Sequence, residues 1–411
     1  MPIPAKLEHT NPIVPNSGLS LYIHVPFCKT KCPYCDFNTY QGIETLMIPY
    51  LKALTTEIEL WGESLDHPQL NTIFFGGGTP SYLPQDSIGR ILEATKASFG
   101  IQYEAEITIE ANPGDLSENL CHKLLDAGVN RISFGVQSLD DNLLQMLGRR
   151  HNAEQAINAF NTAHQSGFTN INLDLIYGLP NQTIEQWQDS LNRLISLQPE
   201  HISLYCLTLE AGTPMESWVQ QGKLPEPDPD LAADMYHYAE DQLEPAGYQH
   251  YEISNWSLPG CESEHNKAYW VNHPYLGVGP GAHSKLDQYR FWTIDSPRAY
   301  IDKVSQWAGS HPETIRKINE QTLRNIPTLG GNEFIDTNLN DSETLFLGLR
   351  ILDGINLKEA SAKTGTDLTA KYQQQIDELV DLGLLQQDNQ QLKLTKKAYL
   401  IANQVFTRFL D

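Results

Sequence analysis

Six short apolar or alternating runs punctuate the first half of the chain: LYIHV (21–25), TIFF (72–75), EITIE (106–110), RISFGV (131–136), INLDLIY (171–177) and HISLYCL (201–207). Each gap is wide enough for a crossover helix, so consecutive runs read as parallel strands rather than hairpins. The gaps carry helical spacing: Leu51, Leu54, Ile58 and Trp61 share one face, as do Ile184, Trp187, Leu191 and Leu194. Strand–helix units in series predict an α/β fold, with parallel strands inside and helices outside, as an open or closed barrel.

The pattern changes after about residue 215. LPEPDPD (224–230) interrupts it, and a helix is expected over 231–246. The segment 247–335 is rich in Gly, Pro, Trp and Tyr, with weak periodicity. From 341 the order is helix, helix, hairpin, helix. Leu345, Phe346, Leu349 and Leu352 line one face and Ile376, Leu379 and Val380 the next; Gly383 can end that helix, and LLQQDNQQLKL (384–394) forms the hairpin. This order is that of a winged-helix unit, but it lacks a dense basic helix, so a packing or lid role is expected. The expected division is an N-terminal tail (1–12), a barrel core (13–245), an accessory α+β region (246–335) and a helical, winged-helix-like C-terminal domain (336–411).

The formal net charge of −23 argues against a nucleic-acid surface. No run of eighteen apolar residues occurs, so no membrane span is expected. The N-terminus, MPIPAKLEHTNPIVPNSG, has no apolar core and does not read as a signal peptide. A cytoplasmic, reducing setting follows, in which the six cysteines are expected to be thiols or metal ligands rather than disulfides.

Three of them, Cys28, Cys32 and Cys35, crowd into CKTKCPYCDF just after the first strand. Thiolates are soft ligands for iron–sulfur clusters and zinc. Structural zinc takes four closed ligands, usually in spaced pairs. A tight triplet suits a four-iron, four-sulfur (4Fe-4S) cluster with one iron left open. An open iron can chelate the amino and carboxylate groups of S-adenosylmethionine, whose sulfonium the cluster can reduce. The alternatives are zinc completed by a distant His or Cys, with His24 in reach, and chance clustering of thiols.

YIHVPFCKTKCPYCDF (22–37) resembles the signature of radical S-adenosylmethionine (radical SAM) proteins of the HemN-like group, and the resemblance continues through most of the chain. It implies a partial (β/α)6 barrel that carries a 4Fe-4S cluster and S-adenosylmethionine. In parallel barrels chemistry gathers at the C-terminal ends of strands, where this sequence has its unusual residues. GGGTPS (76–81) can bring backbone N–H donors against a ligand, and Glu110 can accept from a ribose or an amine. Gln137 is a buried amide that needs partners. Arg149 offers a forked donor for a carboxylate, with Arg150 as its rival. Asp174 interrupts an apolar strand, where an unpaired carboxylate is costly. The resemblance assigns Tyr22, Tyr34, Gly77, Gly78, Thr79 and Glu110 to a first S-adenosylmethionine site. It assigns Gln137, Arg149 and Asp174 to a second, which Thr208 also lines.

Two branches share these motifs: an oxygen-independent coproporphyrinogen III oxidase, and HemW, whose members are described as heme chaperones. The oxidase pattern has a further cysteine where this chain has Phe37. HNKAYW (265–270) resembles the heme motif of the HemW branch. His265 is then the expected axial ligand, with Tyr269 and Trp270 as pocket walls; Cys261, His273 and His283 are rivals. GVGPGAH (277–283) is expected to bring backbone near the pocket. Cys121 and Cys206 are expected to be buried, inert thiols. The resemblance thus implies heme as cargo, hemoproteins that accept it, a reductant protein for the cluster and a homodimer.

Overall fold

In the computed structural model, which describes residues 18–309, 315 and 317–410, every one of the six runs is a strand. They are β1 (Leu19–Val25), β2 (Gln69–Gly77), β3 (Gly100–Ala111), β4 (Arg131–Gln137), β5 (Ile171–Tyr177) and β6 (His201–Cys206). They pair in chain order, all parallel. β1 is buried at six of its seven positions, the pattern of a strand covered on both faces. Crossover helices Met47–Ser64 and Ile184–Leu197 bury Leu54, Ile58, Trp61, Trp187, Leu191 and Leu194 against this sheet. Each such side chain stabilises the layer by about 1.5–3 kcal/mol relative to its exposed state. Local sequence starts the helices: Asn152 and Thr183 each form a capping box with Gln155 and Gln186 three residues on.

The helix expected over 231–246 runs from Pro229 to Leu243 instead. Asp228 caps it by accepting from Asp230 N and Leu231 N, and Pro229 needs no donor at the first helical position.

The segment 246–335 is not a separate layer. Its short strands extend both edges of the barrel sheet. β7 (Gln249–Glu252) and β8 (Asn255–Ser257) join the β6 edge. β9 (Tyr275–Val278) pairs parallel with β1 and is followed by antiparallel β10 (His283–Leu286), β11 (Tyr289–Thr293) and β12 (Leu329–Phe334). The resulting twelve-stranded order is β12-β11-β10-β9-β1-β2-β3-β4-β5-β6-β8-β7. The C-terminal region has its own core around Leu345, Leu357, Ile376 and Leu392. Its small sheet joins β13 (Ile355–Asn356) to the hairpin β14 (Leu385–Asp388) and β15 (Gln391–Leu394), the hairpin anticipated from the sequence. It is bolted to the extended sheet by buried charge: Glu343 pairs with Lys285 at 3.0 Å and with Arg290. The expected tail, 1–12, lies outside the described residues. Among the described residues no helix is long and apolar enough to cross a membrane.

Candidate functional site

A cavity of about 460 Å³ opens where β2, β3 and β4 end and runs down into the barrel. Cys28, Cys32 and Cys35 stand at its mouth as free, partly exposed thiols. The loop that carries them is stitched by Cys28 N–H to the Tyr40 carbonyl (2.9 Å) and Cys35 N–H to the Cys32 carbonyl (3.2 Å). Two sulfurs have a donor close by: Thr79 Oγ1 is 3.6 Å from Cys28 Sγ, and Arg149 Nη1 is 3.5 Å from Cys32 Sγ. Burial pushes the Cys28 and Cys35 thiols up, with hydroxyls of Thr79 and Thr39 opposing it. Among the described residues no three His, Cys, Asp or Glu side chains close around a single ion. Three thiolates in one loop are soft ligands of the kind that iron–sulfur clusters take. His24 is not a spare ligand, because its ring nitrogens meet the Tyr22 hydroxyl (3.1 Å) and the Asn38 carbonyl (2.9 Å).

Below the mouth the walls are polar. Tyr34, Gly77, Gly78, Thr79, Glu110, Gln137, Arg149 and Asp174 all line the cavity. Gly77 N–H donates to Glu110 Oε2 at 3.2 Å. Burial, and then the Asp174 charge, push the Glu110 carboxyl up to about 8. Asp174 accepts from Asn172 Nδ2 (2.7 Å) and Ser133 Oγ (3.3 Å), and its carboxyl too is raised by burial. Gln137 closes β4 in the left-handed region (φ 70°), an uncommon conformation for a residue with a side chain, and its Oε1 is buried without a partner. Arg149 donates to the Gly135 carbonyl at 2.5 Å, yet its Nε is also buried without a partner. Unsatisfied buried groups on a cavity wall call for a bound polar ligand. Cysteines at the mouth and orphaned polar atoms beneath them fit a cluster with a polar cosubstrate.

Arg150, the rival of Arg149, also lines the cavity, but its guanidinium grips Asp115 with two bonds of 2.9 and 2.7 Å. Tyr22 lies outside the lining, its ring stacked on Phe74 at 6.2 Å. Thr208 is also outside it: β6 stops at Cys206, and Ser203 and Tyr205 reach the cavity instead. Cys121 is buried as expected, but Cys206, the last residue of β6, is exposed.

The HNKAYW motif departs most from expectation. It forms the helix Glu264–Trp270, capped by Ser263, with the Glu264 and His265 N–H groups held by Glu106 at 3.0 Å each. His265 is 1% exposed. Its Nδ1 meets Thr72 Oγ1 at 2.7 Å, its Nε2 meets the Tyr269 hydroxyl at 3.0 Å, and its ring stacks on Phe74 at 5.0 Å. Burial, with the Arg131 charge, pulls its pKa down to about 3. With both nitrogens committed, His265 presents none to a heme iron in this conformation. Tyr269 packs on His265 and Tyr275, and Trp270 lies under Arg350 (4.2 Å), so neither walls the cavity. The motif's contribution to the cavity is its second residue, Asn266.

Asn266 was missed in the sequence, as were Ser133, Asn172, Ser203 and Tyr205. The last four alternate with buried apolar neighbours along β4, β5 and β6, and the two-residue period of a strand could have found them.

Comparison with known proteins adds three findings. Residues 22–194 match the radical SAM superfamily, and residues 342–401 match the HemN C-terminal domain. Proteins named heme chaperone HemW are similar over nearly the full length. That of Bacillus subtilis is 35% identical, with 95% of this chain and 99% of its own length covered; that of Lactococcus lactis is 36% identical, with 96% and 97% covered. The fold matches Escherichia coli coproporphyrinogen III oxidase HemN with a TM-score of 0.78 at 24% identity, covering 95% of this chain and 89% of that one.

Proposed function

This chain belongs to the family of radical SAM proteins that includes the HemW heme chaperones, and we propose that it binds heme and hands it to hemoproteins. In this reading Cys28, Cys32 and Cys35 ligate three irons of a 4Fe-4S cluster, and the fourth iron faces the cavity. When bound, the cluster supplies a single electron to the sulfonium of S-adenosylmethionine.

The chain's own residues do the rest. Gly77, Gly78 and Thr79 offer backbone close to the cluster loop, without side chains at the two glycines. Glu110, raised to about 8 and thus largely protonated at neutral pH, can donate as well as accept toward a ribose or amine. Arg149 has an unspent N–H for a carboxylate of a second S-adenosylmethionine, Gln137 an unspent carbonyl oxygen for one of its donors, and Asp174 lines the same cavity. Tyr34 beside Arg149 and Cys32 screens the cluster from water; Tyr22 supports the wall from behind. A one-electron donor and a second copy of the chain are the further partners of this reading.

The observation that carries it is the cysteine triplet: it rings the cavity mouth in a chain similar to heme chaperones from end to end, and Phe37 follows it where a further thiol would serve the oxidase. The test uses anaerobically reconstituted protein in two assays. Loaded with hemin, it should transfer heme to an apo-hemoprotein. Given coproporphyrinogen III, reductant and S-adenosylmethionine, it should form no protoporphyrinogen; steady turnover to that product overturns the reading.

A further inference from the structure

Arg131 opens β4, and the two-residue period of a strand turns Arg131, Ser133, Gly135 and Gln137 to one side. All four line the cavity. It therefore runs the length of the strand, about 20 Å from Gln137 near the cysteines to Arg131 at the inner end. Gln137 and Arg149 serve the mouth; Arg131 has no part in the cosubstrate reading above.

Arg131 is 2% exposed, and its Nε is buried without a partner. Among the described residues its guanidinium makes no hydrogen bond, and its one ionic neighbour is Glu106. A fixed cation with five N–H donors is seldom buried in that state. The acids around it are already engaged. Glu106 Oε2 is 3.9 Å from Nε, beyond hydrogen-bond reach, and the Glu106 oxygens accept from the Glu264 and His265 N–H groups at 3.0 Å each. Asp174 accepts from Asn172 and Ser133 instead.

The two bonds from Glu106 also bring the helix Glu264–Trp270 against this end of the barrel. Its Asn266 lines the cavity, and the side-chain amide has no hydrogen-bond partner among the described residues. A planar guanidinium fork beside an uncharged amide donor matches a single carboxylate. A doubly charged oxyanion would also meet Asp174 on the same wall.

We propose that Arg131 and Asn266 form a carboxylate subsite at the inner end of the cavity. It takes an alkyl carboxylate, supplied by a heme propionate or by a free short-chain acid. The first source rests on the heme-chaperone reading above, and the second does not.

The test uses the full chain, anaerobically reconstituted, as wild type, Arg131→Met and Asn266→Asp. Asn266→Asp keeps the arginine and sets a negative charge against an incoming carboxylate, so it reports on the subsite even if Arg131→Met folds poorly. Each protein is titrated with hemin and with hemin dimethyl ester, followed by the Soret band. Each is also melted in sodium propionate and in sodium chloride at equal ionic strength. With heme as the source, the wild type should bind hemin on the order of tenfold or more tighter than the ester, and both variants should lose that preference. With a free acid as the source, hemin and ester should bind alike, while propionate raises the melting temperature of the wild type and of neither variant. No hemin preference together with no propionate effect overturns the proposal. So does an equal loss of hemin and ester in the variants, which would make Arg131 a purely structural residue. A wild type that binds neither porphyrin overturns the chaperone reading, and the propionate melts then decide the subsite alone.

Discussion

Arg149 Nη1 lies 3.5 Å from Cys32 Sγ, so a half-buried guanidinium points at one corner of the cysteine triplet. A hydrogen bond to a ligating sulfur, and a positive charge beside it, both favour the reduced and more negative cluster. Arg149→Met should therefore lower the midpoint potential. A hydrogen bond to a charged group is worth about 1.5–3 kcal/mol, and about 59 mV is tenfold for one electron, so a drop on the order of 65–130 mV is expected. A redox titration followed by electron paramagnetic resonance measures it, and iron content should stay at the wild-type level.

Removal of a ligand is a harsher change. Cys28→Ser, Cys32→Ser or Cys35→Ser should each abolish the brown anaerobic chromophore. Circular dichroism should be unaltered, because all three side chains are partly exposed and none belongs to the core. Iron and sulfide assays on anaerobic protein check this; wild-type iron in any of the three counts against the triplet.

Glu57 gives a pH signature. It is fully buried in the helix Met47–Ser64 and accepts from Gly279 N–H (2.8 Å) and the Tyr300 hydroxyl (2.7 Å), joining that helix to the glycine loop before His283. Burial lifts its carboxyl from 4.5 to about 7. The folded state then holds a proton that the unfolded chain releases, so this contribution is full below pH 4.5 and is lost as pH rises through about 7. Relative to Glu57→Gln, the wild type should lose on the order of 2–3 kcal/mol between roughly pH 5 and pH 8. Urea melts at the two pH values provide the comparison.

His265 runs the other way. Its pKa falls from 6.5 to about 3, so the unfolded chain takes up the proton first and stability drains as pH falls from 6.5 toward 3. His265→Ala should cost about 2–4 kcal/mol at neutral pH, through two lost hydrogen bonds and a lost stack. It should also soften the acid limb of the stability profile. Thermal melts at roughly pH 5 and pH 7.5 read both effects.

The barrel was legible because each strand is a short apolar run and the gaps between them carry helical periodicity; the capping boxes at Asn152 and Thr183 went unread. That Cys28, Cys32 and Cys35 share one loop on the cavity was legible because they are neighbours in the sequence. Choosing between Arg149 and Arg150 was beyond the sequence, since both line the cavity and only the distant Asp115 decides which guanidinium is already paired. The partners of His265 were hidden for a related reason: a histidine among aromatic residues reads alike whether its nitrogens are free or bonded to Thr72, 193 residues away. The segment 246–335 hid its strands because three- to six-residue strands carry too few alternations to register.

The central claim is that Cys28, Cys32 and Cys35 leave one iron of a cluster open toward S-adenosylmethionine. Electron paramagnetic resonance of the reduced, reconstituted protein tests it directly, recorded with and without S-adenosylmethionine. The account predicts a 4Fe-4S signal whose g-values shift on addition. A wild-type signal that ignores S-adenosylmethionine, or reconstituted protein with zinc or no metal on the triplet, contradicts it.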